Sequence, residues 1–203
     1  MKIICVGRNY VEHINELKNK KSSFPVLFIK PDSSLILKNN PFLIPDFAQN
    51  IHHEIEFIVK ISKVGKHIQS KYSYKYYDQI GIGIDFTART LQKELKSKGL
   101  PWEKAKAFDG SCFVGNWIDK NEFLDLGNIN FTLKKNGKIR QSSNTSKMIW
   151  KIDDLISYIS KYFTLKIGDI VFTGTPSGVG NVEKNDLLEG FIENKKIFKL
   201  EVK

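Results

Sequence analysis

Apolar and β-branched residues alternate with polar ones in short stretches along most of this chain, and a period of two predicts strands. They fall near Ile3 to Val6, Val26 to Lys30, Ser34 to Leu37, His53 to Ile61, Ile80 to Asp85, Ile129 to Lys135, Asp169 to Thr173, Leu187 to Ile192 and Ile197 to Val202. Asn136-Gly137, between two alternating stretches, signals a tight hairpin, and Glu193-Asn194-Lys195-Lys196 is expected to turn the last one. The helical period appears from Val11 to Lys20, from Ala88 to Lys98 with Gly99 as its stop, and from Lys147 to Tyr162 behind Ser146 as N-cap. In the last, Met148, Ile149, Ile152, Leu155, Ile156 and Ile159 form one apolar stripe, which predicts packing on a sheet. No repeat, low-complexity segment or linker interrupts this order, so a single domain over residues 1–203 is expected. Its class is α+β, strand-rich, with antiparallel and mixed sheet instead of regular βαβ alternation.

Composition narrows the setting. At 203 residues the chain is long enough to bury a sizeable core. Its 41% hydrophobic and 27% charged content is that of an ordinary soluble globular protein. No apolar run approaches the roughly 20 residues that span a bilayer, and no membrane partner is expected. The start, Met1-Lys2-Ile3-Ile4-Cys5-Val6-Gly7-Arg8, meets charge early and lacks the apolar core of a secretory signal. Cys5 and Cys112 are too few and too distant for a disulfide framework, so a reducing, cytoplasmic location is expected. The formal net charge of +10 comes from lysine, because Arg8, Arg89 and Arg140 are the only arginines. Scattered lysine with so little arginine predicts a solvated surface and no nucleic-acid partner.

The candidate chemistry interrupts these patterns. In His52-His53-Glu54-Ile55-Glu56-Phe57-Ile58-Val59, Glu54 and Glu56 project from one strand face while Ile55, Phe57 and Val59 occupy the other. Spacing alone favours a solvated face for such a pair. Asp85 adds a second reading, since it ends the small, apolar strand Gly81-Ile82-Gly83-Ile84-Asp85 just before Thr87-Ala88-Arg89. There it is either a helix N-cap or a third carboxylate. Three carboxylates from two strands make a hard, oxygen-only set of the kind that holds Mg²⁺ or Mn²⁺. His52 shares the parity of the glutamates and is expected to orient Glu54 in preference to ligating.

His13 and Glu16, three apart on the first helix, are neighbours on one face. The carboxylate can fix the imidazole tautomer while the other nitrogen takes a proton from water, although an incidental surface pair has the same spacing. Lys106, in the small and aromatic setting of Trp102 to Phe108, is either a surface lysine or a partly buried one placed to neutralise an enolate. Gly168 to Gly180 has neither the Gly-Lys-Ser/Thr of a P-loop nor Gly-x-Gly-x-x-Gly, which disfavours nucleotides. Its N–H groups and the Thr173 and Thr175 hydroxyls suit a substrate carboxylate instead.

Together these segments resemble the fumarylacetoacetate hydrolase family. The resemblance is carried by Val6-Gly7-Arg8-Asn9-Tyr10 with His13, Phe28-Ile29-Lys30-Pro31, His53-Glu54-Ile55-Glu56, Asp85-Phe86-Thr87-Ala88-Arg89 with Gln92, Trp102 to Phe108, and Thr173-Gly174-Thr175-Pro176 with Gly178 and Gly180. The length and Lys98-Gly99-Leu100-Pro101-Trp102 look most like its acylpyruvase and oxaloacetate decarboxylase branch. The resemblance implies a mixed β-sandwich roll, a homodimer, and Mg²⁺ or Mn²⁺ held by Glu54, Glu56 and Asp85. It further implies a His13–Glu16 dyad on a lid of about residues 9–23, Lys106 beside the substrate, and Arg89, Gln92 and Thr175 as substrate contacts. The activity it implies is C–C bond cleavage of short β-diketo or 2-oxo acids, by acylpyruvate hydrolysis or oxaloacetate decarboxylation, through an enolate of pyruvate. The alternative is isomerisation, tautomerisation or hydration of 2-oxo acids on the same scaffold. Cys112-Phe113 stands where family members often carry Cys-Pro, a departure that touches none of the proposed ligands.

Overall fold

The computed structural model describes all residues except 19, 38 and 49. In chain order its strands are β1 Ile3–Gly7, β2 Val26–Lys30, β3 Ile51–His53, β4 Ile55–Ile61, β5 Tyr77–Asp85, β6 Thr87–Ala88, β7 Cys112–Val114, β8 Ile118–Asp119, β9 Asn130–Lys135, β10 Lys138–Asn144, β11 Ile170–Phe172, β12 Gly180–Asn181, β13 Leu187–Ile192 and β14 Lys195–Glu201. The α-helices are α1 Val11–Glu16, α2 Arg89–Ser97, α3 Glu103–Lys106 and α4 Ile152–Tyr162. The largest sheet runs β2-β1-β11-β4-β5-β7 with β8 also on β5, and two smaller sheets run β10-β9-β13-β14 and β12-β3-β6. In the large sheet β1 and β11 are parallel and their neighbours antiparallel, so it is the mixed sheet of a strand-rich α+β fold.

Both faces of the large sheet are covered. Ile55, Phe57 and Val59 of β4 and Ile80, Ile82 and Ile84 of β5 enter the main core, joined by Phe131 and Leu133 of β9 and Leu155, Ile156 and Ile159 of α4. Ile58 packs on the opposite face with Ile3, Cys5, Ile170 and Phe172. The α4 stripe therefore packs as its period predicts. The Asn136-Gly137 turn has both residues at positive φ, 53° and 76°, as a two-residue hairpin loop demands. Gly99, at φ 66°, ends α2 where expected.

Several boundaries are corrected. Helix α4 begins at Ile152 behind Lys151, not at Lys147 behind Ser146. Thr145–Lys147 is a 3₁₀ turn in which Asn144 is the cap, its Oδ1 accepting the Ser146 N–H at 2.8 Å. Met148 and Ile149 are drawn out of the helix by long-range contacts: Met148 bridges Tyr10, and the Ile149 N–H donates to the Asn9 carbonyl at 2.9 Å. Ser34 to Leu37 is not a strand, because Asp32–Ser34 turns as a 3₁₀ segment after Pro31 and Leu35 makes an isolated bridge to Cys112. Helix α1 stops at Glu16, and Lys18 at φ 51° breaks the expected continuation. Residue 19, within the expected helix and lid, lies outside the described residues. The expected strand from His53 to Ile61 breaks at Glu54: β3 leaves the large sheet to pair with β12 and β6.

Candidate metal centre

That break lies beside the end of β5. Ile55 pairs with Ile84 and Glu56 with Gly83, and the Asp85 N–H donates to the Glu54 carbonyl at 2.8 Å. Adjacent strands thus hold three acids at one place, and one carboxylate oxygen from each of Glu54, Glu56 and Asp85 lies within 4.8 Å of the others. Their exposures of 4%, 2% and 0% remove the solvated-face reading. Asp85 is not the N-cap of α2 either, since that place belongs to Ala88 and carries no side-chain cap.

Buried cations surround the acids. The Lys106 ammonium donates to Glu54 Oε2 at 2.7 Å, to Asp85 Oδ2 at 2.6 Å and to Thr87 Oγ1 at 2.6 Å. Arg89 donates from Nη2 to Glu54 Oε1, from Nη1 to Gln92 Oε1 at 2.7 Å and from Nε to His52 Nδ1 at 3.3 Å. His52 therefore bears on Glu54 through the guanidinium. Burial, followed by the charge of Arg89, pushes its pKa down to about 4, which keeps that nitrogen an acceptor.

Burial pushes the Glu54 carboxyl up, but Lys106 and Arg89 outweigh it and hold the group well below the usual carboxylate range. Glu56 goes the other way: burial and the Asp85 charge raise it well above that range. Burial lowers the Lys106 ammonium, but Asp85 and Glu54 outweigh that and hold it above the usual lysine value.

The donor set fits a hard divalent ion. Lys30, fully buried on β2, donates to the Lys106 carbonyl, to the Ser111 carbonyl at 3.1 Å and to Ser111 Oγ at 3.0 Å. Those three acceptors match its three N–H groups. Asp85 Oδ1 lies 2.9 Å from the same nitrogen yet remains a buried acceptor without a hydrogen bond. Three buried carboxylates that bring oxygens alone to one place, and that already draw the Lys106 ammonium toward it, suit Mg²⁺ or Mn²⁺.

The helix α1 and the glycine-rich loop close the other side. His13 Nδ1–H donates to Glu16 Oε2 at 3.0 Å, and Glu16 Oε1 accepts the Gly178 N–H at 2.9 Å. Gly178 sits at φ 95°, where a Cβ would fall 2.2 Å from the Arg140 carbonyl, so the turn requires glycine. Gly174, at φ 104°, donates its N–H to Glu56 Oε2 at 2.7 Å. The loop thus cradles a carboxylate, but the carboxylate is Glu56.

The expectation for the two threonine hydroxyls is corrected in the same way. Thr173 donates to the Phe57 carbonyl at 2.7 Å and Thr175 to the Ile55 carbonyl at 2.8 Å, because the loop must satisfy the end of β4 before it can serve a ligand. Thr175 still lines the cavity together with His13, Glu54, Glu56, Asp85, Arg89, Gln92 and Lys106. The cavity measures about 60 Å³, room for a few waters and the scale of a small acid.

Three residues without a predicted role hold this site. Lys30 ties Asp85 to the Lys106 backbone. Asn9 donates to the Thr173 carbonyl at 2.7 Å and accepts the Trp150 N–H at 2.7 Å, fixing α1 to the loop. Gln141 accepts from His53 Nδ1 and the Ile55 N–H, each at 3.0 Å, and donates to Thr175 Oγ1 at 2.9 Å. The signal for Lys30 was a lysine closing an apolar strand just before proline, and for Gln141 a polar residue on the core-facing parity of its hairpin.

A family model described as fumarylacetoacetate (FAA) hydrolase C-terminal matches residues 2–202. The mouse protein named oxaloacetate tautomerase FAHD1, mitochondrial, is 41% identical over 201 residues, covering 99% of this chain and 91% of its own. A fumarylacetoacetate hydrolase family protein from Yersinia pestis superposes with a TM-score of 0.95 at 44% identity, over 100% of this chain and 93% of its own. Fumarylpyruvate hydrolase from Pseudomonas aeruginosa, solved in complex with Mn²⁺ and pyruvate, superposes with a TM-score of 0.93 at 32% identity, over 100% and 89%.

Proposed function

This chain belongs to the fumarylacetoacetate hydrolase family, and on that premise we propose that it is a divalent-metal-dependent enzyme of short 2-oxo and β-diketo acids that works by stabilising an enolate. The observation that carries this reading is a single cavity shared by three converging carboxylates, a buried ammonium and a carboxylate-held imidazole. Glu54, Glu56 and Asp85 would hold Mg²⁺ or Mn²⁺, and the Pseudomonas relative with Mn²⁺ and pyruvate supports both the ion and the ligand class. The ion supplies a Lewis acid beside the 2-oxo group.

The chain's own residues do the rest. Once the carboxylates are neutralised, the Lys106 ammonium is free to donate to the enolate oxygen where charge develops. Gln92 commits its carbonyl to Arg89, so its amide N–H groups are what it offers a substrate. Arg89 and the backbone N–H of Thr175, whose hydroxyl is committed to the Ile55 carbonyl, orient the substrate carboxylate beside it. Glu16 accepts from His13 Nδ1, which leaves Nε2 as the base.

With oxaloacetate, the substrate in the mouse relative's name, His13 Nε2 takes a C3 proton and a proton returned to the 2-oxygen completes the keto–enol exchange. Loss of the distal carboxylate as CO₂ leaves the enolate of pyruvate and needs no base. In acylpyruvate hydrolysis the same nitrogen deprotonates the water that attacks the distal carbonyl, and C–C cleavage gives pyruvate and a carboxylic acid. The fumarylpyruvate hydrolase neighbour supports this second reading.

Residues 9–23 serve as the lid, and the working unit is a homodimer. Cys5 and Cys112 are free and buried, as suits a reducing compartment, and we place the protein in the cytoplasm. No helix among the described residues is long and apolar enough to cross a membrane. The test is a panel of oxaloacetate, acetylpyruvate and fumarylpyruvate with Mg²⁺ or Mn²⁺, following enol absorbance and pyruvate release. Turnover of at least one that stops in EDTA is expected, and turnover of none, or turnover indifferent to EDTA, overturns the reading.

A further inference from the structure

We propose that Trp102, leaning on Phe28, is the wall that limits this protein to short acids, and that the apolar groove behind it is an acyl subsite which the wall keeps shut. The wall presupposes the 2-oxo acid reading of the floor and adds to it what sets the length of the tail.

The floor cavity of about 60 Å³ has a larger neighbour, a groove of about 420 Å³, and the two share Phe28, Trp102 and Lys106 as lining residues. The groove runs between Val26, Leu27 and Ile29 of β2, an edge strand of the large sheet, and the Leu100-Pro101 stretch that joins α2 to α3. Among the described residues its charged lining side chains are Glu103, exposed on the first turn of α3, and Lys106. The Lys106 ammonium is turned to Glu54, Asp85 and Thr87, which leaves its apolar stem for the groove. A polar, cation-binding floor thus adjoins a space lined mainly by apolar side chains.

Phe28 and Trp102 close the way from one space to the other. Their ring centres stand 6.3 Å apart with planes inclined at 56°, a contact arrangement that leaves no width for a chain between them. The Lys106 ammonium lies 5.3 Å from the Phe28 ring centre, so the ring that bounds the groove also bounds the reacting centre. The Lys96 ammonium, 6.0 Å from the Trp102 ring centre, adds to the hold on the indole. The backbone presents Trp102 without help from its side chain: the Leu100 N–H donates to the Leu95 carbonyl at 2.9 Å, and the Trp102 carbonyl accepts the Ala105 and Lys106 N–H groups at 2.8 and 2.9 Å. The indole can therefore be cut back while Lys106 keeps its place.

A tail carried by a 2-oxo acid at the floor meets this wall beyond Lys106. With the wall shut, added methylenes crowd a space already filled by two rings. With it open, each methylene is buried among apolar side chains and tightens binding by about fourfold. The sign of the dependence on tail length therefore reports whether the wall stands.

The experiment uses straight-chain 2-oxo acids that share one head group, titrated calorimetrically into Mn²⁺-loaded protein. The wild type should bind pyruvate and 2-oxobutanoate, and 2-oxooctanoate about tenfold or more weakly. Trp102→Ala should reverse that order, with 2-oxooctanoate about tenfold or more tighter than pyruvate, while Mn²⁺ and pyruvate affinities stay unchanged. Trp102→Phe, which keeps a ring against Phe28, should keep the wild-type order. Adding Leu100→Asp to Trp102→Ala puts a carboxylate in the groove and should remove the gain. In turnover, Trp102→Ala should shift kcat/KM from acetylpyruvate toward hexanoylpyruvate. A wild type that binds 2-oxooctanoate as tightly as pyruvate, or a folded Trp102→Ala variant that keeps the wild-type order, overturns the wall, and a gain that survives Leu100→Asp overturns the subsite. A wild type that binds none of the acids overturns both readings, whereas binding without turnover strikes the proposed reaction alone, which the calorimetric comparison does not use.

Discussion

Lys30 is a charged side chain with no exposed surface, held by the Lys106 carbonyl, Ser111 and Asp85. Removing one member of a buried charged set leaves the others uncompensated, so Lys30→Met should lower unfolding stability by about 3–5 kcal/mol, read by urea denaturation. A loss below about 1 kcal/mol would show that the lysine does not stabilise Asp85. His13→Ala should act differently, lowering kcat by about a hundredfold or more while leaving Mn²⁺ affinity unchanged. Equal loss of both would make His13 structural. The convergence of the three acids was legible because strand parity and a terminal aspartate are local patterns, though it took the ordered neighbouring motifs to turn them from a solvated face into a candidate metal site. Lys30 and Gln141 were not, because each acts on residues far along the chain: Lys30 on Asp85 and Ser111, Gln141 on His53 and Thr175.

The interrupted strand at Glu54 matters more than the sequence pattern suggested. Unbroken alternation from His53 to Ile61 implied one strand, yet His53 pairs with Gly180 while Ile55 pairs with Ile84. The change of partner places Glu54 where two sheets part, and the glycine-rich loop fills the gap. Gly178→Ala tests that loop: its added Cβ meets the Arg140 carbonyl and its φ disfavours an L side chain, a cost of about 1–3 kcal/mol in stability. Because the Gly178 N–H holds Glu16, kcat should fall as well, and normal turnover in a folded Gly178→Ala variant would separate the loop from the dyad. The start of α4 departs from its sequence pattern for a related reason. Met148 and Ile149 continue the helical stripe, but bonds to Tyr10 and Asn9 outweigh one further turn of helix.

Across the whole chain, lysine excess sets the electrostatics, and the acids that stabilise the fold are few and well bonded. Burial raises the Asp169 and Asp186 carboxyls, but their partners outweigh it and hold both below the usual value. Asp169 accepts from the Lys2 and Lys166 N–H groups, each at 2.8 Å, and Asp186 from the Glu183 N–H at 2.8 Å and Asn136 Nδ2 at 2.7 Å. With folded values below the unfolded one, the unfolded chain binds more protons in acid. Their contribution is therefore complete above about pH 4 and is lost as pH falls through the folded values. Urea denaturation from pH 2 to 6 should show that acid limb, and Asp169→Asn with Asp186→Asn should flatten it; an unchanged limb would place the acid sensitivity elsewhere. The mixed sheet and the order of elements were legible because alternation repeats along the chain, whereas strand order across the sheet depends on partners such as β1 and β11 that lie far apart in it.

The claim on which the account depends is that Glu54, Glu56 and Asp85 are one divalent-cation site. Calorimetric titration of EDTA-stripped protein with Mn²⁺ tests it most directly, with Asp85→Asn as the comparison and circular dichroism to confirm that both are folded. One saturable site in the wild type, weakened at least a hundredfold by the single substitution, is the predicted result; equal affinity in the two folded proteins would contradict it.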